Sequence, residues 1–298
     1  MAGCSNFTEQ NFLDFYYRRA AVFTVAGLYT RLFTTSHTDW DAGTGGTELS
    51  GTGYAQYGQA AAAGTTNWNT AATQGNGYRT VNKAVAAFSW SVGSDWAALN
   101  GAGIYDGNLV GSNLLWGSTF TTPRDPASSD TFRLHNGSTG LMNFDLDVTT
   151  AAGITNTAKQ ALLNHIFYGD TGQVPATAYI ALYTSASALN HYTGASGTEV
   201  STSGTAYARH SVTSSTAWHA AASVGTGFHI HNGSAFNSFA AATAAWGAIR
   251  YAALVDTASG AIGSYYAIDQ LAADVQIDLG DTFSIAADGF LISIDESN

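Results

Sequence analysis

The chain reads as a mainly β protein made of two tandem antiparallel β-sandwiches of jelly-roll type, each opened by a short α-helix. Three observations lead there. The sequence repeats itself in order at a spacing of about 150 residues, its composition suits pleated sheets, and short apolar runs alternate with Gly-rich turns at sandwich spacing.

The repeat is the strongest of these. Residues 11–17 (Asn-Phe-Leu-Asp-Phe-Tyr-Tyr) answer to 161–167 (Ala-Leu-Leu-Asn-His-Ile-Phe), and 29–34 (Tyr-Thr-Arg-Leu-Phe-Thr) to 179–184 (Tyr-Ile-Ala-Leu-Tyr-Thr). Gly-Thr-Glu-Leu-Ser at 46–50 returns as Gly-Thr-Glu-Val-Ser at 197–201, Tyr54-Ala55 as Tyr207-Ala208, Trp96 and Asp106 as Trp246 and Asp256, and Asp130-Thr131-Phe132 as Asp281-Thr282-Phe283. A unit of this length buries its own core, so the period marks a duplicated domain rather than a solenoid. The copies span residues 1–149 and 150–298, their boundary falling near Asp147–Thr155, where Val148-Thr149-Thr150-Ala151-Ala152-Gly153 forms a small, uncharged linker. What both copies keep is mostly apolar and is therefore scaffold; function belongs to the differences or to assembly.

Charged residues are 10 % of the chain and hydrophobic ones 45 %, with 33 Gly and 3 Pro, against about 25 % charge in ordinary soluble domains. Thr, Val, Tyr and Phe pack well on strands while Gly supplies the turns. Taken in order, each copy begins with a helix. In the second, Thr157 and Gln160 fit a capping box ahead of an apolar face of Ala161, Leu162, Leu163, His165, Ile166 and Phe167. In the first, Phe12, Leu13, Phe15, Tyr16 and Tyr17 repeat that face with larger rings than one small sheet needs. Part of that face is expected to meet a neighbour. Strands follow at Val25–Thr34, Ala84–Ser91, Ala98–Tyr105, Asn113–Phe120 and Thr131–His135, and at Thr177–Thr184, Ala248–Val255, Ser264–Ile268, Val275–Leu279 and Phe290–Ile294. Tyr57–Asn82 is the least patterned stretch and reads as a long surface excursion.

The net charge of −11 divides into 7 basic against 11 acidic residues in the first copy and 3 against 10 in the second. Without a basic patch, phosphate neutralisation is unavailable, so nucleic acid is not an expected partner. No apolar run reaches the roughly 20 residues of a membrane-spanning helix. Arg18-Arg19 precede an apolar stretch, but that stretch aligns with an interior part of the second copy, which argues against an export signal. Cys4 is the single cysteine, so one chain holds no disulfide framework or thiolate metal site.

Catalytic signatures are missing. Gly137-Ser138-Thr139-Gly140 lacks nucleophile-elbow spacing, and Gly101-Ala102-Gly103 with Gly107 misses the dinucleotide pattern by one place. Asp39 and Asp41 with Glu48 have calcium-like alternation, yet Asn190 and Tyr192 stand at the equivalent places, so a solvated turn is the stronger reading; Asp145 and Asp147 are weaker still. His229-Ile230-His231, with His219 nearby, puts imidazoles on one strand face. No carboxylate lies within ten residues of the pair, so no metal site and no cofactor is expected. Trp96 and Trp246 recur and read as core, whereas Trp40 and Trp68 fall in expected loops and are the candidates for surface contact. Asn136-Gly137-Ser138 and Asn232-Gly233-Ser234 match glycan acceptors but read as turns.

The ordered pattern of helix, Tyr-x-x-Leu-[Phe/Tyr]-Thr, Gly-Thr-Glu-[Leu/Val]-Ser, Tyr-Ala, Trp-x-x-[Ile/Leu] leading to an aspartate, and Asp-Thr-Phe resembles a family of small virion proteins of tailed bacteriophages, tail-fibre-like or minor structural proteins. The resemblance covers Asn11–Asp145 and Ala161–Asp295. In that family Tyr-Ala is followed by Arg, which stands here as Arg209, whereas the first copy has Gln56. The resemblance implies a non-enzymatic part of a virus particle, on tail or head, with other virion proteins and itself as partners. Phe12, Phe15, Tyr16 and Tyr17 are then the expected assembly contact, and Trp40, Trp68 and Arg209 the expected surface contacts. Two other classes compete with this reading: a carbohydrate-binding sandwich contacting host-surface glycan through loop Trp residues, and a polysaccharide hydrolase, which needs two carboxylates about 5–10 Å apart in a cleft.

Overall fold

The computed structural model describes residues 3–18, 25, 27–35, 37–40, 42–60, 68, 70–74, 77–81, 88–109, 111–134, 143–146, 153–165, 178–190, 193–212, 217–224, 227–236 and 239–294. The first copy contains β1 (Gly3–Cys4), α1 (Asn6–Leu13), β2 (Gly27–Thr35), β3 (Thr47–Glu48), β4 (Tyr57–Ala60), β5 (Ala72–Gln74), β6 (Gly77–Val81), β7 (Phe88–Ser91), β8 (Leu99–Tyr105), β9 (Leu114–Arg124), β10 (Thr131–Leu134) and β11 (Asn143–Leu146). The second contains β12 (Gly153–Ile154), α2 (Asn156–Leu163), β13 (Tyr179–Thr184), β14 (His210–Ser211), β15 (Ala222–Val224), β16 (Gly227–His231), β17 (Gly247–Val255), β18 (Tyr265–Ile277) and β19 (Leu291–Ile294).

Both copies build the same antiparallel large sheet, ordered β1-β9-β8-β2-β3 with β4 also on β2, and β12-β18-β17-β13-β14. A smaller three-stranded sheet faces it in each, β5-β6-β11 and β15-β16-β19. The inner faces contribute Leu28, Leu32 and Ile104 in one copy and Ile180, Leu182, Ile230 and Ile292 in the other to one continuous core cluster that runs through both copies. The tandem β-sandwich reading therefore holds.

Several details differ from the sequence reading. The two strands expected at 264–268 and 275–279 are one, β18, because its pairing with β17 resumes past a bulge at Ile249↔Val275. The polar middle merely faces solvent. The expected excursion at 57–82 contains β4, β5 and β6, with β5 and β6 paired antiparallel as far as Gln74↔Gly77; the Gly-Asn-Gly sequence at 75–77 is the turn signal for that pairing. The second helix is capped by Thr155 rather than Thr157. The Thr155 hydroxyl donates to the Tyr265 carbonyl instead of closing a capping box.

The helices do not close their own sandwiches. α1 lies between β9 of its own copy and β15–β16 of the other, and α2 lies between β18 and β6. Equivalent atoms tie both crossings: Asp14 Oδ1 accepts from the Ala221 amide at 2.9 Å, and Asn164 Oδ1 accepts from the Ala71 amide at 2.9 Å. Asp14 and Asn164, and Ala71 and Ala221, are separated by the repeat spacing, so the exchange follows a pseudo-two-fold axis. Phe15 and His165, also equivalent, meet there with ring centroids 4.9 Å apart. Around this point Phe12, Tyr16 and Tyr17 are buried, and the Tyr17 hydroxyl donates to the Tyr266 carbonyl at 3.0 Å. Each such side chain removed from water contributes roughly 1.5–3 kcal/mol. The oversized aromatic face meets the other half of the same chain.

The outer faces of the large sheets carry smaller apolar clusters that the copies fill differently. In the second copy, Ala181, Tyr183, Tyr251, Ala253, Val255 and Ile268 fill it from the strands, under Leu189. In the first, Gly101, Gly103 and Gly117 leave a trough that the Trp40 ring occupies, its Nε1 donating to the Thr119 hydroxyl at 2.9 Å. A Cβ on Gly117 would stand 1.9 Å from Trp40 Cε3, so glycine is required there to admit the ring.

Candidate functional site

The motifs shared by the copies resolve into a structural staple. Leu32 of β2 receives a hydrogen bond from Leu49 N–H at its carbonyl, while its own amide donates to the Tyr54 hydroxyl. Tyr54 in turn donates to Glu48 Oε1 at 2.8 Å. In the second copy Val200, Leu182, Tyr207 and Glu199 repeat the arrangement, Tyr207 donating to Glu199 at 3.1 Å. Burial pushes both tyrosine hydroxyls far above their usual pKa, so they serve as hydrogen-bonding groups rather than acids.

A guanidinium completes each staple from a different place in the chain. Arg209 holds Glu199 through two parallel bonds, Nε to Oε1 at 2.7 Å and Nη2 to Oε2 at 2.8 Å, and donates to the carbonyls of Thr257 and Gly260. The first copy has Gln56 there, and the same task passes to Arg31 on β2. Arg31 sits 3.6 Å from Glu48, donates to the carbonyls of Gly107 and Leu109, and lies 4.1 Å over the Tyr105 ring. Arg209 is therefore spent inside its own copy, its side chain only 5 % exposed.

The other recurrent acids are turn residues. Asp106 accepts from the Asn113 amide and Asp256 from Gly263, Asp130 from Ala127 and Asp281 from Asp278. Asp39 accepts from the Ala42 amide, as Asn190 does from Thr193, so turn chemistry accounts for both; Asp41 and Asp147 lie outside the described residues. Asp269 departs from this pattern. Burial raises its carboxyl to about 6 while it accepts from the Leu291 amide.

Trp68, expected at a contact surface, has no exposed area and packs against Phe88. Its counterpart is Trp218, at the repeat spacing, and that recurrence marks it as core just as it does Trp96 and Trp246. Trp40 is half-buried on its glycine trough. Phe12, Tyr16 and Tyr17 lie within the junction, which removes them from any exposed docking face. Asn232 is buried and donates to the carbonyls of Ser234 and Ala286, so it is a turn hub rather than a glycan acceptor.

The histidines separate into distinct settings. His37 lies between the Thr44 carbonyl and the Tyr105 hydroxyl, its pKa lowered by burial. His210 packs beside Phe236 and Phe239, and its pKa is likewise lowered by burial. His165 marks the pseudo-two-fold axis, and His135 and His191 lie outside the described residues. His219, His229 and His231 share the outer face of the small sheet, where Asp288 joins them from 57 residues beyond His231 along the chain. The carboxylate that sequence spacing did not supply is brought in by the β19 side of the fold.

A family model described as "Podophage GP4 fiber I protein gp80" matches the chain twice, over residues 3–142 and 153–293. No curated protein matches it. The chain belongs to this family of podophage fibre proteins, structural components of the phage particle, and carries two tandem copies of its module.

Two outcomes follow from these contacts. Arg31→Ala is expected to lower stability by about 1.5–3 kcal/mol, the range for hydrogen bonds to a charged group; adding Gln56→Arg recovers at least half of the loss in urea denaturation, because it restores the arrangement of the other copy. For Asp269, folding raises the carboxyl from 3.8 to about 6, so the native state holds the proton more tightly. Its contribution favours the fold at low pH and is lost as pH rises through about 6. Asp269→Asn keeps the acceptor for Leu291, and is expected to gain on the wild type by about 2–3 kcal/mol above pH ~7 relative to pH ~4.

Proposed function

We propose that this podophage fibre protein is a non-enzymatic building block of the particle that acts by assembly and surface contact. The observation that carries this reading is the fibre-family match over both copies, which share a single buried core across their exchanged helices. The recurrent acids and the Arg209 guanidinium are committed to turns and staples, which supports a scaffold role over a catalytic one. A sparsely charged surface avoids desolvating charges at each repeated contact, which suits a subunit whose partners are other virion proteins and further copies of itself.

The fused pair acts as an internal dimer. One chain presents two related surfaces, and linkage keeps the second module at high effective concentration. The glycan-binding reading loses Trp68, which is buried, and keeps only Trp40, half-buried on its glycine trough. No helix is long and apolar enough to cross a membrane among the described residues.

Immunogold electron microscopy of purified particles, with antibodies raised against the chain, tests the assignment. Labelling at defined appendages is expected. Abundant protein in the lysate with none on purified particles contradicts it.

A further inference from the structure

The outer face of the β15-β16-β19 sheet carries the one cluster of metal-ligand side chains found among the described residues, formed by His219, His231 and Asp288 with ligand atoms all within 4.8 Å of one another. Backbone pairing sets it up. Trp218 and Asn232 form an antiparallel bridge, and the His219 amide donates to the His231 carbonyl at 2.9 Å, so the two imidazoles stand side by side on one face with ring centroids 4.8 Å apart. Ile230 points the other way, into the core.

Asp288 is delivered by the turn that precedes β19. The buried Asn232 side chain holds both ends of that turn, donating to the Ala286 carbonyl and accepting from the Phe290 amide, and the Asp288 amide donates to the Asn232 carbonyl. Asp288 itself is left-handed at φ 64°, a conformation that few residues other than glycine, asparagine and aspartate adopt readily. Backbone pairing and the Asn232 bonds thus fix all three positions, with the His219 and Asp288 side chains exposed and His231 Nδ1 buried beneath them.

An ordinary His–Asp hydrogen bond does not account for the geometry. Asp288 Oδ1 lies 2.6 Å from His231 Nδ1 and 3.5 Å from His219 Nε2, yet His231 Nδ1 is buried and makes no aligned hydrogen bond. The two nitrogens and the oxygen all lie within 4.8 Å of one another. Ligands at about 2.0–2.1 Å from a tetrahedral zinc ion stand roughly 3.4 Å apart, so small side-chain rotations accommodate an ion there. Two imidazoles and a carboxylate suit zinc and its first-row neighbours over magnesium or calcium. The first copy has Asn69, Arg79 and Val81 at the positions of His219, His229 and His231, so the sandwich does not need these side chains to fold.

We propose that His219, His231 and Asp288 form a divalent first-row metal site, with the remaining coordination positions taken by water, that clamps the turn before β19 to β16 and to the segment bridged at Trp218. The test uses the full chain, made without a polyhistidine tag and stripped with chelator, titrated with Zn²⁺ by calorimetry. The proposal expects one zinc ion per chain and a higher melting temperature with zinc than without. His219→Ala and Asp288→Asn, both at exposed positions, are each expected to weaken binding by more than about tenfold while leaving the melting of the chelated protein unchanged. Absence of stoichiometric zinc binding in the wild type, or binding that survives both substitutions unchanged, overturns it.

Discussion

Two side-chain oxygens at equivalent places, Asp14 Oδ1 and Asn164 Oδ1, each cap a backbone amide belonging to the other copy. That reciprocal contact fixes how the two sandwiches join. Once α1 is committed to the small sheet of the second copy and α2 to that of the first, neither sandwich closes its core without its partner. The large rings of Phe12, Phe15, Tyr16 and Tyr17 then have a purpose that one small sheet could not give them. Exchange of an identical element between like units is a low-cost way to make a dimer, and here the linker turns the dimer into one chain.

The copies solve the same packing problems with different residues. A guanidinium neutralises the staple glutamate in both, from β2 in one and from the loop after Tyr-Ala in the other. A tryptophan on glycine covers the outer face of one large sheet, where strand side chains fill the other. Such exchanges conserve charge balance and volume rather than identity, as close-packed interiors tolerate. The histidine and aspartate cluster has no counterpart of this kind, which is why it stands apart from the scaffold.

Much of the fold was legible because duplication repeats its own signals. Strands such as β8 and β17, with their terminal aspartates, and the buried Trp96 and Trp246 appear twice at one spacing. The same spacing links Trp68 to Trp218, and reading that pair would have moved Trp68 from the surface to the core. The helix exchange was only half legible: the excess aromatic face signalled a neighbour, but nothing local states that the neighbour is the other half of the chain. The partner of His231 was hidden for a similar reason, since Asp288 lies 57 residues further along the chain and reaches it through tertiary pairing. Contacts of long sequence separation are set by topology, and residue spacing alone does not reveal them.

If the exchanged helices make the two sandwiches interdependent, they open together. Native-state hydrogen exchange read by mass spectrometry along a urea series measures this directly, comparing the central strands β2 and β8 with β13 and β17. The account predicts a single opening free energy and a single urea dependence for both sets of strands. Loss of protection in one copy at urea concentrations where the other stays fully protected contradicts it.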